Sequence, residues 1–150
     1  MTENITLREI TAETVWPIMK LNVAENQKSF VAPNANSIAE AYFSKEAWFR
    51  AIYAGEDPVG FVMLYADEKK PEYFLWRLMI ASEHQGKSYG YQAMELVIDH
   101  VKSLPGAVEL LTSYVPGEGN PSHFYSKLGF EETGQWEDGE KVLKLKLGQE

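Results

Sequence analysis

Apolar and polar residues alternate from Ile5 to Ile10, the pattern of a half-buried strand. The period then turns helical. Thr11 can cap a helix running to about Asn22, with Val15, Ile18, Met19 and Leu21 on its apolar side. A polar loop through Pro33-Asn34-Ala35-Asn36 follows, and Ser37 with Glu40 has the capping-box spacing of a second helix reaching about Trp48. Ala51 to Ala54 and Val59 to Ala66 read as strands around the turn residues Gly55-Glu56-Asp57-Pro58. Tyr73 to Ile80 is apolar apart from Arg77, which predicts a central strand covered on both faces.

From Tyr89 to about Ser103 the helical period returns. Ala93, Val97, Val101 and Leu104 form one stripe with Met94 and Ile98, and Pro105-Gly106 ends it. Val108 to Val115 is a second apolar strand. Asn120-Pro121 then reads as N-cap and first residue of a short helix, with Gly129 at its C-terminal end. Two last strands, about Phe130 to Gln135 and Val142 to Leu147, flank a Glu137-Asp138-Gly139 turn. This alternation of element types predicts an α/β fold on a mixed sheet, with residues 1–150 as one domain.

Composition narrows the chemistry. The 150 residues carry a formal net charge of −8, which disfavours nucleic acid and favours cationic ligands. The absence of cysteine excludes disulfides, thiolate metal sites and a cysteine nucleophile. His84, His100 and His123 have no metal-ligand spacing, so no metal is expected. The opening MTENITLREI lacks the basic and apolar regions of a signal peptide, and no apolar run reaches a membrane-spanning length of about 18 residues. A cytoplasmic location is the expectation, without a membrane partner.

The most informative junction follows the strand ending at Ile80. Gln85-Gly86-Lys87-Ser88-Tyr89-Gly90 is a small-residue turn leading into a helix, where backbone N–H groups can face an anion such as phosphate. It has neither P-loop nor dinucleotide-fingerprint spacing. Further on lies Phe124-Tyr125, followed by Lys127, Gly129 and Phe130.

This ordered pair of motifs resembles the GCN5-related N-acetyltransferase (GNAT) superfamily. The first segment is similar to that family's Q/R-x-x-G/A-x-G/A pyrophosphate loop, with Ser88 in place of the middle glycine. The second is similar to its F/L-Y-x-x-x-G-F helix. In the N-terminal half, Glu25, Phe30-Val31-Ala32-Pro33-Asn34 and Ser37-Ile38-Ala39-Glu40-Ala41 are similar to bacterial spermine/spermidine acetyltransferases of the superfamily. The resemblance implies a mostly antiparallel mixed sheet of six to seven strands flanked by about four helices. It also implies acetyl-CoA as co-substrate, a small cationic amine such as spermidine or spermine as acceptor, and a homodimer.

The resemblance implies roles residue by residue. Leu78, Met79, Ile80, Gln85, Gly86, Lys87, Ser88, Tyr89, Gly90, Asn120 and Tyr125 would hold the co-substrate. Backbone N–H groups near Met79 and Ile80 would face the oxyanion if the strand bulges there. Tyr125 would be the general acid for the leaving thiolate. A primary amine is almost wholly protonated at neutral pH, so a carboxylate acceptor is useful, with Glu25 the first candidate and Glu72 and Glu83 behind it. Glu25, Phe30, Asn34 and Trp76 would contact the acceptor, with Tyr42 and Trp48 as further candidate walls. Two other readings stay open: a different amine acceptor, or a non-catalytic CoA-binding domain.

Overall fold

A computed structural model describes residues 4–28 and 30–148; the first three residues of the opening segment read above lie outside them. The chain runs β1 (Ile5–Arg8), α1 (Val15–Met19), α2 (Asn34–Tyr42), β2 (Ala47–Ala54), β3 (Asp57–Asp67) and β4 (Glu72–Ile80). It continues through α3 (Tyr89–Lys102), β5 (Glu109–Tyr114), α4 (Ser122–Lys127), β6 (Glu131–Glu137) and β7 (Glu140–Lys146). The seven strands form one sheet in the order β1-β2-β3-β4-β5-β7-β6. Every pairing is antiparallel except the parallel β4–β5 pair at its centre.

Two apolar layers cover the sheet. On one face α3 packs Ala93, Met94, Val97 and Val101 against Val62, Leu64, Leu75 and Leu110. On the other, Ile18 of α1 meets Ala51, Phe61, Met63 and Met79. The stripe read along α3 is the stripe it buries.

Several boundaries differ from the sequence reading. The first helix shrinks to five residues, because Pro17 has no N–H to donate and is tolerated only in a first turn. Thr11 lies in the preceding turn, where its carbonyl accepts from the Thr14 and Val15 N–H groups. Ser37 does not cap the second helix. It is fully buried one turn inside it, its N–H donating to the Pro33 carbonyl. That helix stops at Tyr42, and Trp48 belongs to β2, opposite Leu64 of β3. Ala47 and Trp48, read as the end of that helix, instead pair with Tyr65 and Leu64 of β3. The β2–β3 turn also tightens to Gly55 and Glu56.

Candidate active site

β4 and β5 hold each other only at Phe74–Leu111 and Leu75–Thr112. The Thr112 hydroxyl reinforces this last rung by donating to the Leu75 carbonyl at 3.1 Å. Beyond it the strands part, and a cleft of about 1050 Å³ opens between Trp76–Ile80 and Ser113–Val115. The parting coincides with a bulge. Met63 faces Arg77 while Leu64 faces Leu75, so Trp76 is the extra residue in β4.

The bulge changes which face each residue meets. Tyr73 and Leu75 point to the α3 side; after Trp76, Leu78 and Ile80 do, and Met79 turns to the α1 side. Backbone direction follows. The Ala81 N–H donates to Val59 of the β3 side, and the Ile80 carbonyl accepts from Gln85 at the cleft. Alternation along the strand then aims the Leu78 and Ile80 N–H groups into the cleft and those of Met79 and Ala81 at β3. Of the donors expected near Met79 and Ile80, the Ile80 N–H faces the cleft together with that of Leu78 while the Met79 N–H faces β3, and the bulge lies earlier than the strand end.

At the far end of β4 the turn into α3 is built for an anion. The first-turn N–H groups of α3 have no intrahelical acceptor, and no acidic residue stands among them. Ser88 precedes the helix in the left-handed region, φ +67° and ψ +16°, without a side-chain capping bond. Gly86 also has positive φ and open space around it. Gly86, Ser88, Tyr89 and Gly90 line the cleft, whereas Lys87 is exposed with its ammonium over the Tyr89 ring. Gln85 donates from Nε2 to the Ile80 carbonyl at 2.8 Å and to Gln27 Oε1 at 2.7 Å, joining this loop to the α1–α2 segment.

Tyr125 enters from α4. It is 7% exposed, lies edge-on to Phe124 and Phe130, and lines the cleft beside Thr112. Burial pushes its phenol up to about 12, the nearby Thr112 hydroxyl opposing the rise and the Glu140 charge adding to it. Asn120 caps the start of α4 differently from a simple N-cap. Its Oδ1 accepts the Ser122 N–H at 2.8 Å, and its amide binds the Gly117 carbonyl. It also lines the cleft.

The acceptor candidates separate. Phe30 and Trp76 line the cleft, and Phe30 reaches toward Gly119 of the opposite loop. Glu25 is 89% exposed, paired with Lys28 at 2.8 Å, and outside the cleft lining. Asn34 is buried, its amide donating to the Ile18 carbonyl at 2.8 Å, so it ties α2 to α1 rather than facing the cleft. Tyr42 is exposed at the end of α2, and Trp48 stacks on His100 at 4.3 Å; neither lines the cleft. Glu72 and Glu83 are exposed outside it.

Sequence reasoning missed Gly60, Thr112, Ser113 and Glu140. Gly60 of β3 sits so close to the Met79 carbonyl that a Cβ has no room there, and Ile80 Cδ1 would be 2.8 Å away. None carries a local signal, since each acts through a neighbour on another strand. Among the described residues no group of three His, Asp or Glu could hold a metal, and no helix is long and apolar enough to cross a membrane.

The fold is an α/β sheet opened at a parallel pair, with an uncapped helix start at one end of the opening, and similarity to known proteins says which family it belongs to. Residues 15–130 match the acetyltransferase (GNAT) family, and the chain belongs to that family. It is an acetyl-CoA-dependent N-acetyltransferase. The chain is 26% identical to a spermine/spermidine N(1)-acetyltransferase of Bacillus subtilis (strain 168), over 96% of this chain and 99% of that one. A GNAT family acetyltransferase from Elizabethkingia anophelis with acetyl-CoA bound has the same fold: TM-score 0.68 at 19% identity, covering 95% of this chain and 98% of that one. So does a spermidine N-acetyltransferase chimera from Vibrio cholerae and hSSAT, TM-score 0.71 at 19% identity, covering 95% of each chain.

Proposed function

We propose that this enzyme moves the acetyl group of acetyl-CoA to a primary amine of a small polyamine such as spermidine or spermine. The observation that carries the transfer is the opening of the sheet beyond Leu75 and Thr112, with the Tyr125 hydroxyl on its wall. In this reading the pyrophosphate sits on the first-turn N–H groups of α3, with Gly86 and Ser88 letting it approach the backbone. The pantetheine arm runs between the parted strands, along the free edge of β4.

The amine nitrogen attacks the thioester carbonyl, a C–N bond forms, and the oxyanion meets the Leu78 N–H beside the bulge. The C–S bond then breaks. Tyr125 stays protonated at every physiological pH, since its phenol is pushed up to about 12. An ordinary thiol ionises near 8.5, so full proton transfer from this phenol is uphill by roughly 3–4 units, about 5 kcal/mol. Tyr125 therefore serves as a hydrogen-bond donor to sulfur as its charge develops, and the proton that finishes the thiol comes from the attacking amine by way of solvent. Glu25, exposed and paired, has no part in this scheme.

The polyamine acceptor is supported by the Bacillus subtilis relative, a spermine/spermidine N(1)-acetyltransferase aligned over nearly the whole chain. Net charge of −8 agrees with a cationic acceptor. The test is thiol release from acetyl-CoA with spermidine, spermine, single amino acids and short peptides offered separately. Release that saturates with spermidine or spermine at far lower concentration than with the others is expected. Release with amino acids or peptides alone overturns the polyamine acceptor and keeps the transfer; no release with any amine overturns both.

A further inference from the structure

The β6–β7 hairpin closes through Asp138 and Gly139, both at positive φ, in the tight turn that Asp-Gly favours. Its last rung sets Glu137 directly opposite Glu140. Like charges facing each other on a hairpin are destabilising. Both residues line the cleft, and among the described residues no lysine or arginine lies within 4.0 Å of either carboxylate. Glu140 is half-buried, and its Oε1 accepts the Ser113 hydroxyl at 2.7 Å, which fixes the carboxylate against β5.

Strand parity sets where that carboxylate stands. Thr112 and Tyr114 are buried on the side of α3 and α4, with Tyr125 beside Thr112. Ser113 points the other way, so Glu140 joins it on the side of Trp76 and Arg77. The cleft therefore has the phenol on one flank and this carboxylate on the other. Burial and the Glu140 charge together raise the Tyr125 phenol, which agrees with their nearness. The other ionisable groups lining the cleft are Arg77 of β4, Tyr114 of β5, Lys127 of α4 and the hairpin's Glu137 and Asp138, with Lys28, His84, Tyr89 and Tyr91 from the segments before and in α3. Arg77 is held by Glu40 at 2.7 Å, and the Tyr114 hydroxyl donates to Glu132.

We propose that Glu140 receives the reacting ammonium of the acceptor and takes its proton, with Glu137 across the rung stabilising the same cation. This rests on the acetyltransferase reading above. The ammonium transfers one proton to the Glu140 carboxylate, which passes it to solvent. The neutral nitrogen forms the C–N bond, the C–S bond breaks, and a second nitrogen proton reaches the thiolate through solvent. The third stays on the amide.

The test is E140Q in the full chain, with CoA affinity by calorimetry and spermidine-dependent thiol release followed from pH 6.5 to 9. The variant is expected to lose about 100-fold in kcat/KM for spermidine at pH 7, the scale of a general base. CoA affinity should stay within about twofold and Tm should hold or rise, because the like-charge rung is relieved. Its rate should climb about tenfold per pH unit, as the amine must now arrive neutral, while the wild-type profile stays shallow. E137Q should raise the spermidine KM several-fold with kcat kept. Wild-type release with an unchanged E140Q rate or pH slope overturns this proposal alone, and so does parallel loss of CoA affinity. No amine-dependent release by the wild-type protein overturns the functional reading, and this proposal with it.

Discussion

The Gln85 side chain donates to Gln27 Oε1 at 2.7 Å, joining the loop before α3 to the segment that carries Phe30. Gln27 Oε1 also accepts the Ala24 N–H, and Gln85 reaches back to the Ile80 carbonyl at the end of β4. One amide thus links the turn before α3, the free edge of β4 and the cleft wall that carries Phe30. A Q85A variant loses two hydrogen bonds of about 1 kcal/mol each. Both the acetyl-CoA KM and the amine KM should rise several-fold. Q27A should raise the amine KM alone, and steady-state kinetics with each substrate varied separates the two.

Tyr125→Phe removes only the hydroxyl from a packed ring. Losing one donor to a developing charge costs about 10²–10³ in kcat, so that fall is expected with CoA affinity unchanged by calorimetry. The same variant has a signature in stability. A phenol pushed up to about 12 in the fold ionises near 10 when unfolded, so the unfolded chain loses its proton first. The stabilisation is complete below pH 10 and falls away between about 10 and 12. Denaturant titrations should find the wild-type protein losing roughly 2–3 kcal/mol more than Tyr125→Phe over that window.

Ser88 holds a left-handed conformation, φ +67°, that costs a side-chain-bearing residue about 1–2 kcal/mol. Glycine there gives back part of that gain through the unfolded state. S88G is expected to be more stable by about 0.5–1 kcal/mol, with CoA affinity equal or higher. Thermal unfolding and calorimetry on the two proteins check both, and a destabilised S88G contradicts the assigned backbone.

Gly60 lies where β3 crosses closest to the end of β4. In G60A the new methyl group meets the Met79 carbonyl and Ile80 Cδ1, and the strand must give way. Overpacking of this kind costs about 1–3 kcal/mol. Because the displaced strand carries the Leu78 and Ile80 N–H groups, acetyl-CoA affinity should fall as well. Gly90→Ala, whose Cβ would sit at an ordinary 3.5 Å from Ile80 and Phe124, should be milder in Tm.

Local patterns account for much of this protein. Apolar periodicity within α3 and the apolar run of β4 needed only contiguous residues, as did the turn Gln85–Gly90 and the segment around Tyr125, because each is shaped by its own backbone preferences. Pairing decided the rest. The bulge at Trp76 depends on how β4 meets β3, and it alone determines that Leu78, not Met79, presents its N–H to the cleft. Glu25 stands near the right loop in sequence yet faces solvent, while Glu140, far along the chain, is brought beside Ser113 by β7 pairing with β5. Sequence spacing carries no information about which residue of a distant strand becomes a neighbour. Side chains alternate between faces with every residue, so a one-residue shift moves a group to the opposite side of the sheet. The turn before α3 was therefore legible in the chain, and the groups that line the rest of the cleft were decided by the sheet.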